Sequence, residues 1–149
     1  MTIEEIQEEI IDEFSAFDDW MDRYSLLIEL GNDLEPFPEA DKNEQNLIDG
    51  CQSKVWFTAE LVNDDTETAS RQIVRFKGDS DAILVKGIVA LLIRVLSGHT
   101  PKEIVDADLH FIDDINLREH LSPTRSNGLV AMLKQMRLYA LTYMSISKD

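Results

Sequence analysis

Asn46-Leu47-Ile48-Asp49-Gly50-Cys51-Gln52-Ser53-Lys54-Val55-Trp56 is the stretch on which the reading of this chain turns. It holds the only cysteine. Leu47 and Ile48 come before it, and Val55, Trp56 and Phe57 follow, so two apolar runs flank a short polar segment. Gly50 tolerates a positive φ, and Asp, Gly and Ser are turn formers. The pattern predicts two strands joined by a turn, with the Cys51 thiol at or near its tip.

Residues 55–62 are partly β-branched and aromatic, and Asn63-Asp64-Asp65-Thr66 reads as a turn within an acidic hairpin tip that reaches Glu67. Residues 71–77 then alternate polar side chains with apolar Ile73, Val74 and Phe76, as a partner strand does. Together with the short run before Cys51, this predicts an antiparallel sheet of about three strands. A sheet that small needs helices packed on it.

Helices are predicted on both sides. Thr2 and Glu5 form a capping-box pattern, and Ile3, Ile6, Ile10 and Phe14 repeat at helical spacing. Phe17, Trp20, Met21, Tyr24, Leu27 and Ile28 continue the period as an expected core stripe, and Gly31 is suited to a helix C-terminus. One or two helices are expected over residues 3–30. Pro36 and Pro38 mark residues 34–46 as a connection. Gly78-Asp79-Ser80-Asp81-Ala82 is expected to open a helix whose Ile83, Leu84, Gly87, Ile88, Leu91, Leu92 and Val95 form a broad apolar face, ended by Gly98. Thr100-Pro101-Lys102-Glu103 is a second capping box with proline at the first helical position. A polar connection through Asp106, Asp113 and Asp114 leads to a last helix at Ser122-Pro123, with Leu129, Met132, Leu133, Met136, Tyr139, Ala140 and Tyr143 in period. The expected architecture is a single α+β domain over residues 1–149.

Composition narrows the function. Hydrophobic content of 44% and charged content of 29% are those of an ordinary globular chain. The formal net charge of −15, from 14 Lys and Arg against 29 Asp and Glu, argues against nucleic acid as a partner. It suits steering toward a basic patch on another protein. One cysteine excludes an intramolecular disulfide and a cysteine-rich metal site. Residues 1–6 have neither the basic nor the apolar region of a signal peptide, and the longest apolar stretch, residues 82–96, is interrupted by Lys86 and Arg94. A cytoplasmic protein with no membrane association is expected.

Gly50-Cys51-Gln52-Ser53 followed by Val55-Trp56 resembles the sulfur-acceptor loop of the SufE family. Further segments resemble the family in the same order: residues 24–31, Gly78-Asp79-Ser80-Asp81-Ala82, Val85-Lys86-Gly87, Ser97-Gly98-His99-Thr100-Pro101, and His120-Leu121-Ser122-Pro123-Thr124-Arg125-Ser126-Asn127-Gly128-Leu129. Lys42 stands near a position where members often carry Arg; lysine keeps the charge but loses the bidentate fork.

The resemblance implies a fold like that of SufE and the scaffold protein IscU. It also implies a sulfur carrier. A pyridoxal-phosphate cysteine desulfurase (SufS- or CsdA-like) would load persulfide sulfur onto Cys51, be stimulated by losing it, and see it passed to an iron–sulfur scaffold complex (SufBCD-like). The pyridoxal phosphate would belong to the desulfurase, with no cofactor or metal on this chain. Gly50, Gln52, Ser53, Asp81, His120 and Arg125 would shape the loop or meet the partner. A homodimer is left open.

Chemistry gives the alternatives. A reactive cysteine needs access and a positive field, which Lys54 and Arg125 could supply if the fold gathers them. A cytosolic cysteine can equally be a small buried hydrophobe, though the polar neighbours Asp49, Gln52 and Ser53 speak against deep burial. A thiol hydrolase would pair Cys51 with His99, His110 or His120, the last being the best placed, but no protease-type signature surrounds the cysteine. The histidines and Cys51 show no metal-ligand spacing. A regulatory binding module with a structural cysteine is the rival from another class. A thiol held in an apolar pocket until a partner docks would reconcile reactivity with protection of the carried sulfur.

Overall fold

The computed structural model describes residues 1–64 and 71–146. Helix α1 (Ile3–Ser15) starts at the expected capping box: the Glu5 N–H donates to Thr2 Oγ1 at 3.1 Å and the Thr2 N–H to Glu5 Oε1 at 2.9 Å. It buries Ile3, Ile10 and Phe14. Asp19 caps α2 (Trp20–Asn32) by accepting from the Met21 N–H at 2.9 Å. Strands β1 (Val55–Asp64) and β2 (Arg71–Ser80) pair antiparallel, from Val55 opposite Ser80 to Asp64 opposite Arg71. Helices α3 (Ile83–Leu96), α4 (Pro101–Asp106), the single turn α5 (Phe111–Asp114) and α6 (Pro123–Ile146) follow.

The class is α+β, as expected, but the sheet has two strands rather than three. The run before the cysteine makes one bridge only, Leu47 to Trp56, held by Ile48 N–H to the Val55 carbonyl at 2.8 Å and Phe57 N–H to the Asn46 carbonyl at 3.0 Å. The chain has no room for a strand there. Asn46 closes one turn through Asn43 and the Asp41 carbonyl, and Asp49-Gly50 starts the next. Of the expected hairpin tip, Asn63 and Asp64 end β1, while Asp65, Thr66 and Glu67 lie outside the described residues.

Helix α3 is the centre of the fold, packed between α2 and β2. Val85, Ile88, Val89, Leu91, Leu92, Val95 and Leu96 are all buried along it, which fits a helix apolar around most of its circumference. Gly31 does not end α2, which continues to Asn32; instead it lies where α2 crosses α3. A Cβ on Gly31 would come 2.9 Å from the Gly87 amide nitrogen, and one on Gly87 would come 2.2 Å from the Leu27 carbonyl oxygen. Two glycines let the backbones touch. The expected start of α3 also moves: Gly78, Asp79 and Ser80 finish β2, and the helix begins at Ile83 with Ser80 Oγ accepting from the Ala82 N–H at 3.2 Å.

Gly98 lies just past the end of α3 with φ of +86°, and the Thr100–Glu103 box caps α4, both as expected. The segment between α4 and α6 is less polar than its aspartates suggest. Phe111, Ile112, Ile115, Leu117 and Leu121 are buried in the core while Asp113 and Asp114 stay outside. The apolar stripe expected from Phe17 to Ile28 is only partly core, because Phe17, which precedes α2, and Met21 are exposed and the Trp20 ring stacks on His120 at 3.8 Å. No helix among the described residues is long and apolar enough to cross a membrane.

Candidate functional site

Residues 49–54 form a closed loop because both ends are tied. At its start, the Ile48 N–H donates to the Val55 carbonyl, the hydrogen bond already described. At its end, the Lys54 N–H donates to Asp81 Oδ1 at 3.0 Å, and the Lys54 carbonyl accepts from Ser80 Oγ at 2.8 Å and the Asp81 N–H at 3.2 Å. Asp81 therefore orients the loop from the β2–α3 junction. Gly50 adopts φ of +91°, and an added Cβ would come 3.5 Å from that of Ala131 on α6. The loop lies against α6 at this point.

Between the tied ends, Cys51 turns inward into a crevice formed with Gln52, Ser53, Val85 and Ile88 of α3, and Arg125, Gly128 and Met132 of α6. The crevice volume is about 10 Å³, the least that holds a single water molecule. The thiol is half-buried and its S–H donates to the Gly128 carbonyl, Sγ to O 3.6 Å. Burial raises the Cys51 pKa above its ordinary value, since the thiolate loses hydration. The resting group is thus a protonated thiol against an apolar wall, not the exposed thiolate that a turn tip suggests.

Of the residues singled out in the sequence, Cys51, Gln52, Ser53 and Arg125 come together, and Gly50 and Asp81 set the loop's shape. His120 is not among the crevice residues. It is exposed, its ring lies on Trp20, and its carbonyl accepts from the Tyr24 hydroxyl at 3.2 Å. His99 is buried and donates from Nε2 to the Met1 carbonyl at 3.1 Å, while its own carbonyl accepts from the Val74 N–H. His110 ties α1 to α5, with Nε2 at 2.8 Å from Glu4 and Nδ1 on Asp114. Each histidine is engaged away from the thiol, which leaves Cys51 without the paired base a hydrolase needs. Among the described residues, Glu4, Glu8 and His110 are the one grouping within metal-ligand reach, and Glu4 and His110 form an ion pair on the surface.

Sequence reasoning missed the far wall of the crevice. Val85, Ile88 and Met132 read as core residues, and Gly128 as part of a motif with no assigned task. A glycine inside a helical pattern is a signal of close approach, and here a Cβ on Gly128 would come 3.3 Å from Cys51 Sγ. It also missed a charge cluster beside the loop. Asp79 meets Lys42 and Lys86, each at 3.3 Å, and Lys42 lies over the Trp56 ring at 5.7 Å. Burial pulls the Asp79 pKa upward, but the Ser80 N–H and the two lysines outweigh it and hold the carboxyl below its ordinary value.

The family model described as "SufE: Fe-S metabolism associated domain" matches residues 8–140. An uncharacterized SufE-like protein of Rhizobium meliloti (strain 1021) is 40% identical over 131 residues, covering 87% of this chain and 91% of the relative. The solution structure of a hypothetical protein from Thermus thermophilus superposes with a TM-score of 0.71 at 22% identity, covering 94% of this chain and 96% of that one. At that identity the likeness speaks for the fold.

Proposed function

This chain belongs to the SufE family, whose domain is associated with Fe-S metabolism, and we propose that its task there is to accept and carry sulfur on Cys51. The donor is a pyridoxal-phosphate cysteine desulfurase of the SufS or CsdA kind, holding sulfur as a cysteine persulfide. The Cys51 thiolate attacks the outer sulfur, the S–S bond of the donor breaks, and the donor cysteine leaves as its thiolate. The proton on the transferred sulfur travels with it, leaving Cys51 as a persulfide. Draining the donor stimulates its turnover. The sulfur then goes to an iron–sulfur scaffold complex of the SufBCD kind, in the cytoplasm. This chain itself needs no cofactor or resident metal in that role.

The observation that carries this reading is the single cysteine in a tied loop, turned into a crevice it shares with Arg125. A protonated, half-buried thiol is slow toward stray oxidants and becomes nucleophilic once the loop is drawn outward. Gln52 and Ser53 are the loop's polar lining, and Arg125 supplies a positive charge for the emerging thiolate or a carboxylate of the donor. His120, on the Trp20 surface, is a partner-facing residue rather than a base. With one thiol, the carried sulfur cannot be resolved into an internal disulfide.

Intact-protein mass spectrometry after incubation with a cysteine desulfurase, pyridoxal phosphate and free cysteine tests the proposal. A reductant-sensitive gain of one sulfur atom, absent in Cys51→Ser, is expected. A desulfurase that binds and turns over yet leaves this chain unmodified would favour the regulatory module, in which Cys51→Ser keeps full stimulation.

A further inference from the structure

Where the connection at residues 41–46 runs beside β1, the hairpin carries an open cleft of about 440 Å³, a volume within the range of small-molecule sites. Its floor is the solvent side of the sheet. Glu60 lies opposite Arg75 and Thr58 opposite Lys77, so all four side chains leave the two strands on one face. Asp41 stands on the β1 side, and Tyr139 of α6 completes the lining.

The charges in this cleft are sorted by strand. Both carboxylates, Asp41 and Glu60, come from β1 or the connection beside it, and both cations, Arg75 and Lys77, come from β2. Opposite charges that face each other across a sheet ordinarily pair. Among the described residues, however, Asp41, Glu60 and Arg75 form no ion pair, and Lys77 reaches only Glu35, at 3.6 Å. The Tyr139 ring packs on Phe76 with centroids 6.5 Å apart, while its hydroxyl has no hydrogen-bond partner among the described residues. Burial raises the Tyr139 pKa above its ordinary value, so the phenol stays neutral and able to donate. Two positive and two negative side chains make the cleft neutral in a chain of net charge −15.

We propose that this cleft binds a free α-amino acid, a ligand that carries a carboxylate and an ammonium group side by side. The carboxylate lies on Arg75 and Lys77, whose Cα atoms are about 7 Å apart along β2, close enough for both side chains to reach one group. The ammonium lies on Glu60 and Asp41, with β1 about 4.8 Å across the ladder from β2. A simple anion or cation serves one pair of side chains and meets like charge at the other, whereas a zwitterion serves both. For the same reason a neutral ligand side chain is favoured, lying toward the Tyr139 ring. None of these residues lines the Cys51 crevice. The inference therefore stands apart from the sulfur-carrier reading and survives if that reading fails.

Chemical-shift titration of the nitrogen-15-labelled full chain with L-alanine and with L-serine, each to about 50 mM, tests it. A saturable shift of the amides of residues 58–60 and 75–77 is expected, with Kd of about 1–10 mM, while the amides of residues 50–53 stay in place. Propionate, which lacks the ammonium, and ethylamine, which lacks the carboxylate, should each bind at least about tenfold more weakly than alanine. Arg75→Gln and Glu60→Gln, both at exposed positions, should each weaken alanine binding about fivefold or more with unchanged far-UV circular dichroism. A folded wild type that shows no saturable shift overturns the proposal. So does propionate or ethylamine that binds as tightly as alanine, which makes the cleft a site for one ion, or binding indifferent to both variants.

Discussion

Replacing Gly128 with alanine should loosen the Cys51 thiol while leaving the protein folded. The new Cβ would stand 3.3 Å from Sγ, 3.6 Å from the Cys51 Cα and 3.7 Å from its Cβ. Only the first contact is tighter than normal packing, so a displacement of the thiol by a few tenths of an ångström relieves it. The new Cβ, standing on α6, pushes the thiol away from Gly128. The thiol must therefore move outward and lengthen its bond to the Gly128 carbonyl, now 3.6 Å. Losing a weak S–H bond and some packing costs about 1 kcal/mol, while alanine in a helix interior gains about 0.8–1.0 kcal/mol over glycine. The two nearly cancel, so the melting temperature should shift by less than about 3 °C. The thiol itself should change more. Burial is what raises its pKa, and partial release lowers it. Each unit of lowering gives up to about tenfold more thiolate below the pKa, so iodoacetamide labelling near neutral pH should accelerate about 3- to 10-fold. The pH midpoint of labelling should move down. A variant that labels no faster than wild type, at unchanged stability, would show that Gly128 does not hold the thiol in place.

Three further outcomes are expected. Asp81→Ala removes the acceptor of the Lys54 N–H at the loop's end; it should cost about 0.5–1 kcal/mol in chemical denaturation and speed Cys51 alkylation. Gly87→Ala forces a Cβ to 2.2 Å from a backbone oxygen of α2 and should destabilise by about 1–3 kcal/mol despite better helix propensity, read as a lower denaturation midpoint; an unchanged midpoint would mean that the helices separate at no cost. His110 is held above the ordinary imidazole value of 6.5 by its hydrogen bonds to Asp114 and Glu4. A raised folded pKa stabilises fully below the unfolded value and is lost as pH rises through the folded one. The melting temperature of wild type should thus lose a small increment above pH 6.5 that His110→Gln lacks, with equal pH profiles counting against the clasp.

Much of this protein could be read from its residues. Both capping boxes, the hairpin, the central apolar helix, the stop at Gly98 and the cysteine turn are local patterns. A capping box needs four consecutive residues, and a strand or helix period needs about ten, so the sequence alone carries them. The ordered motifs around Gly50-Cys51-Gln52-Ser53 and Ser122-Pro123 also pointed to the SufE family, where the chain belongs. What the tertiary structure decided depends on residues far apart in the chain. Gly31 reads as a helix stop until Gly87 is seen across from it, because a missing Cβ serves a turn and a close crossing equally. Cys51 reads as a turn residue whose thiol can be open or pocketed until Val85, Ile88, Gly128 and Met132 are seen beside it, and only that half-burial sets the direction of its pKa. The run before the cysteine reads as a strand, yet turns on both sides leave it a single bridge. Local sequence fixes backbone preference; burial and field at a side chain are set by whatever the fold brings against it.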